Sequence, residues 1–311
     1  MNVTEPTADL ARTPGRDVLW LLGDGRSGTT WLASLLSQSG GLHPLFEPFH
    51  PACVADCAFL APHAYLRPHA PCRPLEAFAR RVFAGEVREP RICLDGPPPG
   101  GARLLVKDIF ANLLAWWVVA RFPVVRPVLL LRHPFAVALS KARRRDWYWM
   151  DAPGDFLADD TLMADHLAPF ADVIQRYAQS ADFVVRQVLI WAVVNRVPLR
   201  QFSAAELPVI FHESAVDDPT SVVDTVLSRF GGRRAALDDA LVNRPSMVSD
   251  CGSTLATARA QRGQWRQALA SRQIDAGEEI LAAFGFGDLY DREGRPNPAV
   301  LDALRSPSGG G

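Results

Sequence analysis

Residues 18–36 read Val18-Leu19-Trp20-Leu21-Leu22-Gly23-Asp24-Gly25-Arg26-Ser27-Gly28-Thr29-Thr30-Trp31-Leu32-Ala33-Ser34-Leu35-Leu36, and this stretch decides the fold. The apolar run 18–22 stops at glycines, the pattern of a short buried strand. Residues 23–28 form a turn. Residues 29–39 then place Trp31, Leu32, Leu35 and Leu36 at helical spacing, and Gly40-Gly41 ends the helix. Working outward, further strands are expected at 103–106, 128–131 and 208–211, the second being the clearest. Helices are expected at 112–121, 134–144, 162–179, 183–195, 219–230 and 264–284, with Pro134 at the favoured first position of its helix. Strands alternating with helices imply right-handed crossovers. The expected fold class is therefore α/β: a P-loop-type parallel sheet with helices on both faces, in three αβα layers. Ligands of such sheets bind beyond the carboxyl ends of the strands.

The rest of the chain fits one large domain over 17–305, between loose tails at 1–16 and 306–311. Residues 44–101 are rich in proline, histidine and cysteine and read as an irregular insertion near the active site, with one helical patch at 75–83. A formal charge of −1 argues against general nucleic-acid binding. No run of about 20 apolar residues is present, so no membrane span is expected. The first 16 residues lack the pattern of an export signal, which points to the reducing cytoplasm and free thiols. His50, Cys53, Cys57, His63, His69 and Cys72 cluster in sequence, but their spacings match no zinc-site pattern, and no metal is expected.

The turn at 23–28 follows a strand and opens a helix, the context in which backbone N–H groups and a helix N-terminus hold an anion. Gly23 and Gly28 have P-loop spacing, yet Thr29 stands where a nucleoside triphosphatase has its lysine. The cation is Arg26, inside the loop. A kinase or nucleotide hydrolase remains an alternative, weakened by that missing lysine.

The run Arg26-Ser27-Gly28-Thr29-Thr30-Trp31-Leu32 resembles the 5′-phosphosulfate loop of sulfotransferases that use 3′-phosphoadenosine 5′-phosphosulfate (PAPS). A second run, Leu131-Arg132-His133-Pro134-Phe135-Ala136-Val137-Ala138-Leu139-Ser140, resembles that family's 3′-phosphate motif, in which a strand-end arginine is followed by a serine in the next helix. An arginine fork and a hydroxyl suit a phosphate. The segment 103–107 resembles the strand that ends in a lysine near the reacting sulfur, here Lys107. His212 stands at an aromatic position of the family; it either touches the adenine or is an ordinary capped strand-end histidine. Arg262, Gly263 and Trp265 fall in a run similar to a late basic element that closes over the nucleotide. Trp31 is expected near the adenine, or else in the core.

The resemblance implies PAPS as co-substrate, the product 3′-phosphoadenosine 5′-phosphate (PAP), and no metal. The histidine base of the phenol and steroid branch is missing, because Ile109 holds its place. Glu47, in Phe46-Glu47-Pro48-Phe49, resembles the Glu-Pro element of the carbohydrate and tyrosyl-protein branch. It is the expected base, with a pKa raised by Phe46 and Phe49, or else a glutamate that only caps or pairs with an arginine. Lys107 and Arg26, with Ser27, Gly28, Thr29 and Thr30, would hold the leaving phosphate, while Arg132 and Ser140 anchor the far one. The resemblance implies a sugar, glycolipid, polysaccharide or natural-product hydroxyl as acceptor. A catalytically idle PAP-binding module is the other alternative, and the oligomeric state is open. The charged and aromatic run 141–149 reads either as a lid or acceptor contact, with Arg143 and Arg144 on the helical face of Ser140, or as a solvated basic face.

Overall fold

In a computed structural model of the chain, the described residues are 17–144, 151–231, 236–243, 259 and 262–305. Five parallel strands form one sheet: β1 (Val18–Gly23), β2 (His43–Phe46), β3 (Leu104–Asp108), β4 (Val125–Leu131) and β5 (Val209–Phe211), in the order β2-β3-β1-β4-β5. β1 is central, with Leu21 opposite Lys107 on one side and Val128 on the other. Its alternating side chains divide between two cores. Val18, Trp20 and Leu22 face one cluster, and Leu19 and Leu21 face the other. Helix α1 (Thr29–Gly40) seals the second face through Leu32, Leu35 and Leu36. On the first face lie α2 (Arg73–Phe83), α3 (Ala115–Arg121), α4 (Pro134–Arg143) and α5 (Phe183–Gln201). The sheet is thus covered on both sides, as the αβα reading requires.

After β5 the chain enters α6 (His212–Asp217) and then α7 (Pro219–Ser228), whose Val223, Val226 and Leu227 join the α1 side. No helix among the described residues is long and apolar enough to cross a membrane.

Several boundaries differ from the expected ones. The 44–101 segment is not irregular at its start, because β2 pairs with β3 from His43–Leu104 to Phe46–Lys107. Four residues including Pro44 give little strand signal, and a proline is tolerated there because β2 is an edge strand. β4 begins at Val125 despite Pro127, since β5 joins it only from Leu129 onward. The expected helix at 264–284 breaks into Trp265–Ala268 and α8 (Ser271–Ala283). The 162–179 stretch is interrupted by a π-helical turn at Met163–Leu167 and a tighter 3₁₀ turn at Ala168–Phe170 before a helix at Ala171–Ala178. α5 runs past residue 195 and carries Pro198 near its end.

Candidate active site

The site starts from the loop between β1 and α1. Ser27 donates both its N–H (3.1 Å) and its Oγ–H (2.6 Å) to the Asp24 carbonyl, which closes the turn. Arg26 and Gly28 take left-handed backbone conformations, with φ of 69° and 97°. At Gly28 a side chain is also excluded sterically: a Cβ would lie 2.5 Å from Cδ2 of His212. Gly28→Ala is therefore expected to cost on the order of 1–3 kcal/mol of unfolding free energy in urea titrations. A variant within 0.3 kcal/mol of the parent, by the same order-of-magnitude reckoning, would show that the loop relaxes freely.

The loop is fixed from below by a buried ion pair that the sequence reading did not find. Lys141 Nζ donates to both carboxylate oxygens of Asp24 at 2.7 Å and to Gln187 Oε1 at 3.0 Å. Those three acceptors match the three ammonium protons. Lys141 is 1% exposed, Asp24 2% and Gln187 0%. Burial pulls the lysine pKa down and the carboxyl pKa up, each opposed by the partner's charge. Lys141 therefore belongs to the interior rather than to a solvated basic face. α4 ends at Arg143, and Arg144 has extended backbone, so it leaves the helical face of Ser140. Residues 145–150, the core of the expected lid, lie outside the described residues.

Above this pair the two expected anion grips meet. Arg26 Nε donates to Ser140 Oγ at 3.0 Å, and the Arg132 guanidinium donates to the Arg26 carbonyl at 3.0 Å. The tip of β1 and the tip of β4 thus converge on one residue. His212, which starts α6 rather than ending the strand, meets Trp31 edge-on with ring centroids 6.1 Å apart. Burial, and then the charges of Arg132 and Arg262, hold His212 well below the usual imidazole range, so it is neutral. Arg132, His212, Arg262, Gly263 and Trp265 line one cleft. Trp31 Nε1 donates to the Val242 carbonyl at 3.2 Å. Arg262 donates to the Glu213 carbonyl (3.0 Å) and to Asp217 (2.6 Å), and Trp265 stacks on His133 at 4.5 Å. Glu213, next to His212 and given no role by the sequence reading, accepts the His133 N–H at 3.0 Å and so fixes the turn after Arg132.

On the other side of the loop lies Glu47. Its N–H donates to the Lys107 carbonyl at 2.7 Å, and Lys107 Nζ donates to its carboxylate. Arg91 adds a second contact at 2.8 Å. Phe46 lies under both cations, 4.5 Å from Lys107 Nζ and 4.8 Å from the Arg91 guanidinium. The expected raised pKa of Glu47 is corrected here. Burial pushes it up, but Lys107 and then Arg91 outweigh burial and hold it below the ordinary range. The sequence reading does not pair Glu47 with Lys107, and Arg91, 44 residues away within the insertion, adds to that pairing. Asp108 accepts the Phe49 N–H at 3.1 Å and Trp20 Nε1–H at 3.0 Å, tying the turn after Glu47 to β1. Burial raises the Asp108 pKa to about 8.

The His/Cys-rich segment forms packing contacts. His50 and His63 flank Phe110 at 4.6 and 4.9 Å, and Cys57 points to the Pro48 carbonyl. Among the described residues no group of three or more His, Cys, Asp or Glu is arranged to hold a metal ion.

No family model matches the sequence, and no curated protein matches it. Solved structures do. Sulfotransferase domains recur among them. The sulfotransferase domain of the Synechococcus PCC 7002 olefin synthase matches at 18% identity and a TM-score of 0.44, over 87% of this chain and 96% of that one. A sulfotransferase from Alicyclobacillus acidocaldarius matches at 16% identity and a TM-score of 0.47, over 96% and 98%. Retinol dehydratase, solved with retinol and PAP, matches at 13% identity and a TM-score of 0.40, over 88% and 82%.

Proposed function

We propose that this chain is a PAPS-dependent sulfotransferase that moves a sulfuryl group to an acceptor hydroxyl. The observation that carries the reading is the meeting of Arg26, Arg132 and Ser140 at neighbouring strand tips, with the Lys107–Glu47 pair at the tip of the strand on the other side of β1. Two anion grips that touch suit a carrier with phosphate at both ends. A single triphosphate grip would need a cation after Gly28, where Thr29 stands.

In this reading Arg132 and Ser140 hold the 3′-phosphate. Arg26, Ser27, Gly28, Thr29 and Thr30 surround the 5′-phosphosulfate at the start of α1. His212, Trp31, Arg262, Gly263 and Trp265 wall the adenosine. The acceptor oxygen attacks sulfur, and an S–O bond forms as the bond from sulfur to the 5′-phosphate oxygen breaks. The electron pair leaves on that phosphate, giving PAP. The hydroxyl becomes strongly acidic once bonded to sulfur, so a carboxylate with a low pKa suffices to take its proton late in a loose transition state. Proton capture by Glu47 removes the charge that holds Lys107 and frees the ammonium for the leaving phosphate. The chain's residues supply every step, and the scheme routes none through a metal. The Glu-Pro element supports a sugar-type or similar hydroxyl. Four described cysteines are free thiols, which supports the cytoplasm as compartment.

Calorimetry with PAP and transfer of labelled sulfate from PAPS test the reading. Arg132→Ala is expected to weaken PAP binding by roughly 10- to 100-fold, the loss of a charge-assisted fork. Unchanged affinity would remove Arg132 from the 3′-phosphate. Stabilisation by ATP with magnesium but not by PAP would favour the kinase alternative. PAP binding without product from any acceptor would favour the idle module.

A further inference from the structure

A second cleft opens on the β2 side of the sheet, between α1, β2 and the turn at Leu94-Asp95. It holds about 350 Å³, within the range of small-molecule sites. Thr30 and Lys107 line it and are buried, whereas Leu94 is 45% exposed, so the cleft runs from a mouth near Leu94 to the Lys107–Glu47 pair. β1 lies between this cleft and the one lined by Arg132 and His212, so donor and acceptor would reach the loop from opposite sides.

We infer that the acceptor is an alcohol with an apolar body, seated in this cleft with its hydroxyl toward Lys107 and Glu47; the inference rests on the sulfuryl-transfer reading. Ala33, Leu42, Pro44, Leu45, Phe46 and Leu94 supply its apolar wall. A sugar needs a partner for nearly every hydroxyl it buries. The polar lining is small: Ser34 Oγ already donates to the Thr30 carbonyl at 3.0 Å, Gln38 and Asp95 are exposed to solvent, and Ser37 Oγ is a buried hydroxyl with no partner among the described residues, which suits a single further oxygen. Sugars also stack on open aromatic faces, and Phe46 is the aromatic side chain in this lining. Its ring is engaged by Arg91 and Lys107. The lining therefore rewards a hydrocarbon skeleton carrying few oxygens, which reverses the preference for a carbohydrate drawn from the Glu-Pro element.

The test uses the full-length protein, labelled PAPS and two acceptor sets. One set holds 1-decanol, geraniol and a hydroxysteroid; the other holds glucose, cellobiose and chitotriose. The expected result is kcat/KM at least tenfold higher for the best apolar alcohol than for any sugar. Ser34→Trp, which narrows the mouth, and Leu94→Gln should each raise the KM for that alcohol at least fivefold. Both variants should keep the Kd for PAP within twofold, which also reports that they fold. Labelling of sugars in preference to the alcohols overturns the inference and leaves sulfuryl transfer standing. Alcohol KM values unchanged in both variants overturn the cleft assignment. Failure to bind PAP or to label either set sinks the enzymatic reading and the acceptor with it.

Discussion

Glu47→Gln is expected to lower kcat by about 100-fold or more while the Kd for PAP stays within roughly threefold. Glutamine keeps the volume and an acceptor oxygen for Lys107 and Arg91 but cannot take the acceptor's proton. The pH profile sharpens the test. Lys107 and Arg91 hold Glu47 below the ordinary glutamate value of 4.5 against the pull of burial. The base form therefore persists through neutral pH, and activity is lost only as pH falls through that lowered value. A base with a raised pKa would instead show its acid limb near neutrality. Stopped assays from pH 4 to 8 separate the two. Near-parental kcat in Glu47→Gln would remove Glu47 from proton transfer.

Lys141→Met is expected to produce the largest loss of stability, about 3–5 kcal/mol, because it leaves the Asp24 carboxylate buried and unpaired. In a chain of this size that is a fall of on the order of 10 °C in Tm. The double variant Asp24→Leu/Lys141→Met removes both charges and should recover most of the loss, since a buried pair and a well-packed apolar pair are often nearly equivalent. Its PAP affinity should stay reduced. Asp24 and Arg26 flank Gly25 and are held by the consecutive residues Lys141 and Ser140, so loss of one hold loosens the other. Thermal melts and calorimetry on the three proteins give the answer. A Lys141→Met melt within 2 °C of the parent, by the same rough scaling, would mean that Asp24 finds water or becomes neutral at little cost.

What could be read from the sequence was local in kind. Arg26, Gly28 and Arg132 lie at strand-to-helix junctions, and Ser140 lies inside the helix after its strand, where short patterns predict them, because such junctions announce themselves within about ten residues. The parallel sheet followed from the same alternation. Relations between distant segments were not readable. Lys141 meets Asp24 across 117 positions, and nothing in the run Lys141-Ala142-Arg143-Arg144 distinguishes a buried ammonium from a solvated one. The direction of the Glu47 shift depends first on its pairing with Lys107, 60 positions away, and then on Arg91, in a segment with no regular pattern. β2 was hidden because four edge residues with a proline carry too few alternations to register.

The contact of Arg132 with the Arg26 main chain, and of Arg26 with Ser140, links the tips of two strands through the chain's own groups. Hydrogen bonds made by the fold itself place the entropy of assembling these cations in the folding step, and not in the nucleotide binding that the proposed function assigns to them. Capture of a multiply charged anion then becomes a problem of long-range steering rather than of loop search, and ionic strength should govern its rate more than its lifetime.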